Sequence, residues 1–273
     1  MKSITRQFLV TLPISILLLV LMAIALVVAT PLSANPPKTS IPTPSLTPNA
    51  PLKPIVLLTI YNPWLMVIGS DEPTFALYEN GSVIYQRKNA SGDFEFASVQ
   101  LAADEFKALK AGLKIDKALY ALDANKDYYT KTDQPTNVIR LFDPVLGDKL
   151  ISIYGDLFND PEARQMAAPK RLIDLFDTLT SYTHPKAKTW LPEKFEVMLW
   201  SYDTSDAIAW PSDWPTLTDP TTVKRDSLYS LYIDIKDYDR YLELRQSANA
   251  VRLDGKNWAF SARFPFPHEL NQK

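Results

Sequence analysis

Short apolar stretches with the period of a β-strand dominate the chain beyond residue 55. Val, Ile, Leu and aromatic residues alternate or run together there, and Gly, Pro, Asn or Asp bound each stretch. Short turns separate many of the stretches, which favours antiparallel pairing. The pattern predicts strands at Ile55–Tyr61, Thr74–Glu79, Ser82–Gln86, Phe94–Val99, Val138–Phe142, Leu150–Tyr154, Phe195–Tyr202, Leu228–Ile235, Val251–Leu253 and Trp258–Phe264.

The strongest hairpin signal is Asn80-Gly81, which lies between two of these apolar runs. A two-residue loop at this point would pair Tyr78 with Val83. Both faces of the hairpin are then apolar, so we expect both to be covered. Phe195–Tyr202 is also apolar on both sides, which predicts an interior position in a sheet.

Three segments have a helical period instead, at residues 102–111, 170–182 and 238–246. In the first of them Ala102, Phe106 and Leu109 form one apolar stripe. Strands outnumber helices and do not alternate regularly with them. The sequence therefore predicts an α+β fold, a mostly antiparallel sheet with about three helices, preceded by one transmembrane or signal helix and a Pro-rich tether.

The N-terminal helix is predicted from Phe8–Thr30, a run without a charge. At about 1.5 Å per residue the run is long enough for a hydrocarbon core of about 30 Å. Lys2 and Arg6 precede it, which favours a cytoplasmic N-terminus and a single-pass protein in the cell membrane, with the rest of the chain outside the cytoplasm. A cleaved signal peptide, giving a secreted or periplasmic protein, stays open because small residues follow the run.

Proline is frequent from Pro31 to Pro54, and its fixed φ makes this segment extended or polyproline II. We therefore expect three parts: an anchor or signal peptide at 1–30, a Pro-rich linker at 31–54, and one extracytoplasmic α+β domain at 55–273. Two smaller domains that meet near His184 are the alternative.

Composition makes several function classes unexpected. The net charge is −2 and no basic run is longer than Arg87-Lys88, so we expect no nucleic-acid partner. Most of the seven glycines lie where a turn needs them, and the chain has no glycine-rich phosphate-binding motif, so no nucleotide is expected. With no cysteine and two histidines, neither a Ser-His-Asp triad nor a zinc site is expected, and we predict no cofactor.

Asp123, Asn125 and Asp127 have the spacing of the first half of a calcium loop. The sixth position of that loop is Tyr128 where glycine is needed, and the twelfth is Gln134 in place of glutamate. An ordinary turn is the alternative, because Asp and Asn side chains bond to nearby backbone in turns.

Tryptophan is concentrated between Trp190 and Trp214, and two of the rings lie in the run Trp-Pro-Ser-Asp-Trp-Pro. Flat rings beside rigid prolines are suited to stacking on sugars or gripping an extended peptide. The candidate binding residues are Trp200, Tyr202, Trp210 and Trp214. Alternatively, these rings form a lid on the core of the domain.

These observations predict a non-catalytic extracytoplasmic binding or interaction module, attached to the membrane by its N-terminal helix. Its partner would be a cell-envelope polymer or a protein. A hydrolase that cleaves envelope polymers with two carboxylates is the alternative. Glu193 and Glu196 are one of many acidic pairs that such chemistry could use.

Several short motifs of the chain resemble a family of exported bacterial proteins that has no assigned activity. The motifs are Leu77-Tyr-Glu-Asn-Gly-Ser-Val-Ile-Tyr85, Ala111-Gly-Leu113, Thr132-Asp-Gln-Pro-Thr136, Ile153-Tyr-Gly155, Gly255-Lys-Asn-Trp258 and Phe264-Pro-Phe-Pro-His-Glu269. The resemblance implies an exported protein with one coherent fold. Many members of the family are lipoproteins with a leader cysteine. This chain has no cysteine, so its attachment to a membrane must differ.

Overall fold

The computed structural model describes residues 52–65, 70–126, 131–201 and 206–270. They belong to one compact unit, Thr43–Lys273. The apolar N-terminal run and most of the Pro-rich segment lie outside the described residues. Within the described ranges, no helix has both the length and the apolar character needed to cross a bilayer.

The first half of the unit builds a seven-stranded sheet in which every pairing is antiparallel. Its strands are β1 (Pro54–Tyr61), β2 (Pro73–Tyr78), β3 (Ser82–Lys88), β4 (Phe94–Gln100), β5 (Thr136–Asp143), β6 (Gly147–Tyr154) and β7 (Lys188–Thr189). They lie in the order β6-β5-β1-β2-β3-β4-β7.

The second half builds a six-stranded sheet. Its strands are β8 (Lys194–Ser201), β9 (Ala207–Ala209), β10 (Val223–Arg225), β11 (Leu228–Asp234), β12 (Ala250–Leu253) and β13 (Lys256–Arg263). The order is β10-β11-β8-β13-β12-β9, and only the β9–β12 pairing is parallel. Strand β8 lies inside the sheet, so the interior position predicted from its two apolar faces is confirmed.

Five α-helices are present among the described residues, so the predicted number of about three was wrong, although the α+β class and the antiparallel character are confirmed. The helices are α1 (Ala103–Leu113), α2 (Lys117–Tyr120), α3 (Pro161–Met166), α4 (Lys170–Thr180) and α5 (Tyr238–Ser247). The two missed helices, α2 and α3, are too short to show a helical period. Both are capped locally: Leu119 N donates to Asp116 Oδ1, and Glu162 N donates to Asp160 Oδ1.

The predicted register of the β2–β3 hairpin was wrong by one residue. Leu77 pairs with Val83, where the two-residue loop would have paired Tyr78 with Val83. The loop is one residue longer, because Gly81 N donates to Tyr78 O and Gly81 adopts a positive φ of 81°. A three-residue loop of this kind is the next commonest way to close a hairpin.

Three cores hold the two sheets. Helices α1 to α4 cover one face of the seven-stranded sheet, which we call its helix-covered face. Helix α5 and the segment around Trp210 cover one face of the six-stranded sheet. The third core lies on the outer face of the seven-stranded sheet, where Trp190 and Phe266 pack on Phe96.

The third core leads to a prediction about the domain boundary. Phe264 packs against both the second and the third core, and the residues on either side of His184 contribute to the seven-stranded sheet or its cores. We expect limited proteolysis to leave residues 55–273 as one resistant fragment, measured by mass spectrometry. A stable fragment that ends near residue 185 would show instead that two domains meet there.

Candidate functional site

The two tryptophans of the Trp-Pro-Ser-Asp-Trp-Pro run are buried in the second core. Trp210 is 7% exposed and Trp214 is 4% exposed, and their rings meet edge to face at 5.2 Å. Trp210 Nε1 donates to Pro215 O at 3.0 Å, so the ring is held by its own loop. These two rings therefore do not form the exposed aromatic surface that a contact loop requires. Trp200 is half-buried on β8, and Tyr202 lies outside the described residues.

The described part of the calcium candidate is engaged in contacts within the chain. Asp123 Oδ1 accepts a hydrogen bond from Lys149 Nζ at 3.1 Å. Asn125 N donates to Ala167 O at 2.8 Å, which ties this turn to the end of α3. Asp127 lies outside the described residues. Both contacts tie this segment to distant parts of the chain, to β6 and to the end of α3.

A cleft that the sequence did not predict opens beside the third core. It encloses about 330 Å³ between the outer face of the seven-stranded sheet and the end of the six-stranded sheet, and we call it the aromatic cleft. Most of its lining residues lie in strands or directly after them. Its lining residues are Glu72, Gln86, Phe94, Glu95, Phe96, Thr189, Trp190, Leu191, Tyr238, Ala262, Arg263 and Phe264.

Strand alternation explains why rings converge on this cleft. Phe94 and Phe96 are two residues apart on β4, so both side chains point to the outer face. Trp190 follows β7 directly and packs edge to face on Phe96 at 6.0 Å. On the other side, Tyr238 at the start of α5 packs on Phe264 at 4.9 Å. Phe94 is 66% exposed, so one aromatic face of the cleft is open to solvent.

Glu72, directly before β2, is the unusual group of the cleft. One of its carboxyl oxygens accepts a hydrogen bond from Phe264 N. Among the described residues, no basic side chain lies within ion-pair distance of Glu72. Burial raises the pKa of its carboxyl to about 7, and the Phe264 hydrogen bond and the Arg263 charge only partly oppose the rise.

Arg263 closes one end of the cleft, but its guanidinium is already occupied. Its Nε donates to Glu196 Oε2 at 2.9 Å, and its Nη1 donates to Glu269 Oε1 at 2.6 Å. Glu196 is fully buried and stands opposite Arg263 in the β8–β13 pairing. Glu269 Oε2 in turn accepts a hydrogen bond from Phe266 N at 2.7 Å. One cation thus joins two carboxylates and fixes the chain after β13.

His268 lies in the segment after β13 and lines a neighbouring groove of about 430 Å³. Its Nδ1 lies 3.0 Å from the Tyr78 hydroxyl. Burial lowers the pKa of His268, which favours the neutral ring. The contact with Tyr78 therefore joins the segment after β13 to strand β2.

The second acidic residue of the cleft, Glu95, belongs to the other face of the sheet. It lies between Phe94 and Phe96 on β4, so alternation turns its side chain away from theirs. Arg87 Nε donates to Glu95 Oε1 at 2.8 Å, and Thr189 Oγ1 lies 3.3 Å from Glu95 Oε2. Glu95 reaches the cleft only at the edge of the sheet and is already paired.

Comparison with known proteins gives no relative for this arrangement. No family model, curated protein or solved structure matches the chain. The resemblance to exported bacterial proteins therefore stays a prediction, and the site has to be interpreted from its own geometry.

The sequence does contain a signal for Glu72. Even numbers of residues separate Glu72 from Ala76 and Tyr78, which occupy the outer face of β2, so strand alternation places its carboxyl on the same face, beside apolar neighbours. The sequence does not show that Trp190 and Phe264 cover this face, because both residues are far from Glu72 in the chain.

Proposed function

We propose that the domain is a non-catalytic binding module whose ligand site is the aromatic cleft. The observation that carries the proposal is a cavity walled by aromatic rings that contains one carboxyl group without an ionic partner. Binding sites in proteins are commonly concave and mostly apolar, with a few polar groups that fix the orientation of the ligand. Burying a carboxyl group without a partner destabilises a fold, so its presence in a cavity is a sign of function.

The other carboxylates near the cleft support binding rather than paired-acid catalysis. Glu196 and Glu269 are both held by Arg263, and Glu95 is held by Arg87. Glycoside hydrolysis by two carboxyl groups needs a second carboxylate that can act as a nucleophile or activate a water molecule. In the described part of the cleft, each carboxylate other than Glu72 already has a guanidinium partner.

A hydrolase is the second candidate, and one observation favours it. The pKa of Glu72 is raised to about 7, mainly by burial. A carboxyl group in apolar surroundings with such a pKa is protonated near neutral pH and can act as a general acid.

The sequence supports a location for this module outside the cytoplasm, attached to the cell membrane by the N-terminal helix or released after cleavage. In that setting the partner is a cell-envelope polymer or a protein, and no nucleic acid or nucleotide is involved. The rings of the cleft are suited to stacking on a polymer repeat unit.

The test uses Phe94→Ala in the full-length protein. Phe94 is largely exposed, so we expect the free energy of unfolding to change by less than about 0.5 kcal/mol. Losing one aromatic contact is expected to weaken binding to insoluble peptidoglycan or envelope polysaccharide roughly fivefold, measured by co-sedimentation. Val145→Ala is the control, since Val145 is 86% exposed and does not line the cleft.

Release of soluble sugar is measured in the same samples. Binding without release supports the module. Release that disappears in Glu72→Gln would favour the hydrolase, and binding that is unchanged in Phe94→Ala would remove the cleft as the site.

A further inference from the structure

The guanidinium groups around the aromatic cleft have carboxylate partners, whereas the Glu72 carboxyl has no ionic partner among the described residues. Arg263 is bonded to two carboxylates, and Arg87 is bonded to Glu95 and to Ala187 O. Neither guanidinium is therefore available for an anionic ligand. Glu72 accepts a single backbone hydrogen bond, and no described side chain donates to its carboxyl group. Among the described charged residues that line the cleft, Glu72 alone lacks a counter-ion.

The aromatic rings of the cleft also favour a positively charged ligand. The face of an aromatic ring carries partial negative charge and attracts cations within about 6 Å of its centre. Lys88 Nζ already lies 5.6 Å from the centre of the Phe94 ring at the mouth of the cleft. Tyr238 lines the same cleft as Glu72, so a second ring borders the cavity that holds the carboxyl.

We propose that the aromatic cleft selects ligands that carry an ammonium group, which would contact the Glu72 carboxylate and the faces of the surrounding rings. This inference rests on the proposed function and adds the chemical class of the ligand to it. Combining aromatic faces with one carboxylate is a recognised way to bind alkylated ammonium groups. Such a ligand would supply the missing counter-ion.

Choline is the probe, because its charge does not change with pH. Its control is the neutral isostere in which a carbon atom replaces the nitrogen. Isothermal titration of the full-length protein at about pH 8 is expected to give choline about tenfold tighter binding than the isostere, which corresponds to about 1.4 kcal/mol. In Glu72→Gln this preference should largely disappear. Glu162→Gln, an exposed change on α3, should leave it intact.

The pH dependence provides an independent readout. Arg263, Glu269 and Tyr238 face Glu72 from β13, the segment after it and α5. With a pKa of about 7, Glu72 is roughly nine-tenths ionised at about pH 8 and one-tenth at about pH 6. Because the ionised carboxyl is expected to bind choline about tenfold more tightly than the neutral one, choline affinity should fall roughly fivefold between these values in the wild type and stay constant in Glu72→Gln.

The outcomes separate this inference from the proposed function. Equal binding of choline and the isostere would leave a ligand-binding cleft but overturn its selection for charge. A choline preference that survives Glu72→Gln would overturn the role of this carboxyl. If neither probe binds, the inference fails, and the Phe94→Ala co-sedimentation assay still decides whether the cleft is a binding site.

Discussion

Glu72→Gln is expected to stabilise the protein by about 3 kcal/mol at about pH 8, because the wild type must then hold an ionised carboxyl in a largely buried site. The pKa of this group rises from 4.5 to about 7, and each pKa unit corresponds to about 1.4 kcal/mol. Glutamine keeps an oxygen that can accept the Phe264 N–H and removes the charge. Urea unfolding of both proteins across a pH series measures the effect.

The sign follows from the direction of the shift. Below pH 4.5 the carboxyl is protonated in both the folded and the unfolded chain, so its full contribution to stability is present. As the pH rises toward 7 the unfolded chain loses the proton first, and this contribution is lost. The gap between variant and wild type should therefore open between about pH 4.5 and 7 and then level off.

His268 changes the stability with pH in the opposite direction to Glu72, so the measurement has to compare the variant with the wild type at each pH. Its lowered pKa means that the unfolded chain protonates first as the pH falls, so stability is lost on the acidic side of its ordinary value of 6.5. Because both proteins carry His268, its contribution cancels in their difference. A gap that is constant across the pH series would show that Glu72 is not buried as described.

Arg263→Met is expected to destabilise the protein by about 3–5 kcal/mol near neutral pH, because it leaves Glu196 and Glu269 without their shared cation. Arg263 is 7% exposed and Glu196 is fully buried, so water cannot replace the donor that Glu196 loses. Urea unfolding of both proteins near neutral pH provides the measurement.

Two further variants test this explanation. Arg225→Met removes a half-exposed guanidinium 3.7 Å from Glu196 Oε1, and its effect is expected to be within about 1 kcal/mol. Adding Glu196→Gln to Arg263→Met should recover part of the lost stability, since one unpaired charge disappears. Additive losses in this double variant would show that the two residues do not act as a pair.

Strands and turns were determined largely by the sequence itself. Alternating apolar residues are a local property, so they located β1 to β6, and the two apolar faces of β8 indicated its interior position. Local pattern did not fix the register of the β2–β3 hairpin. Leu101 N donates to Gly81 O, so a contact from beyond β4 supports the longer loop that sets the register.

Tertiary structure alone decided the aromatic cleft and the charges beside it. The sequence showed a cluster of tryptophans but not which rings would be covered, and Trp210 and Trp214 became part of a core. Glu72 lies near residue 264 only because the chain after β13 crosses the outer face of the first sheet. Its raised pKa depends on that cover, since desolvation comes from every segment packed around a group and not from its neighbours in sequence.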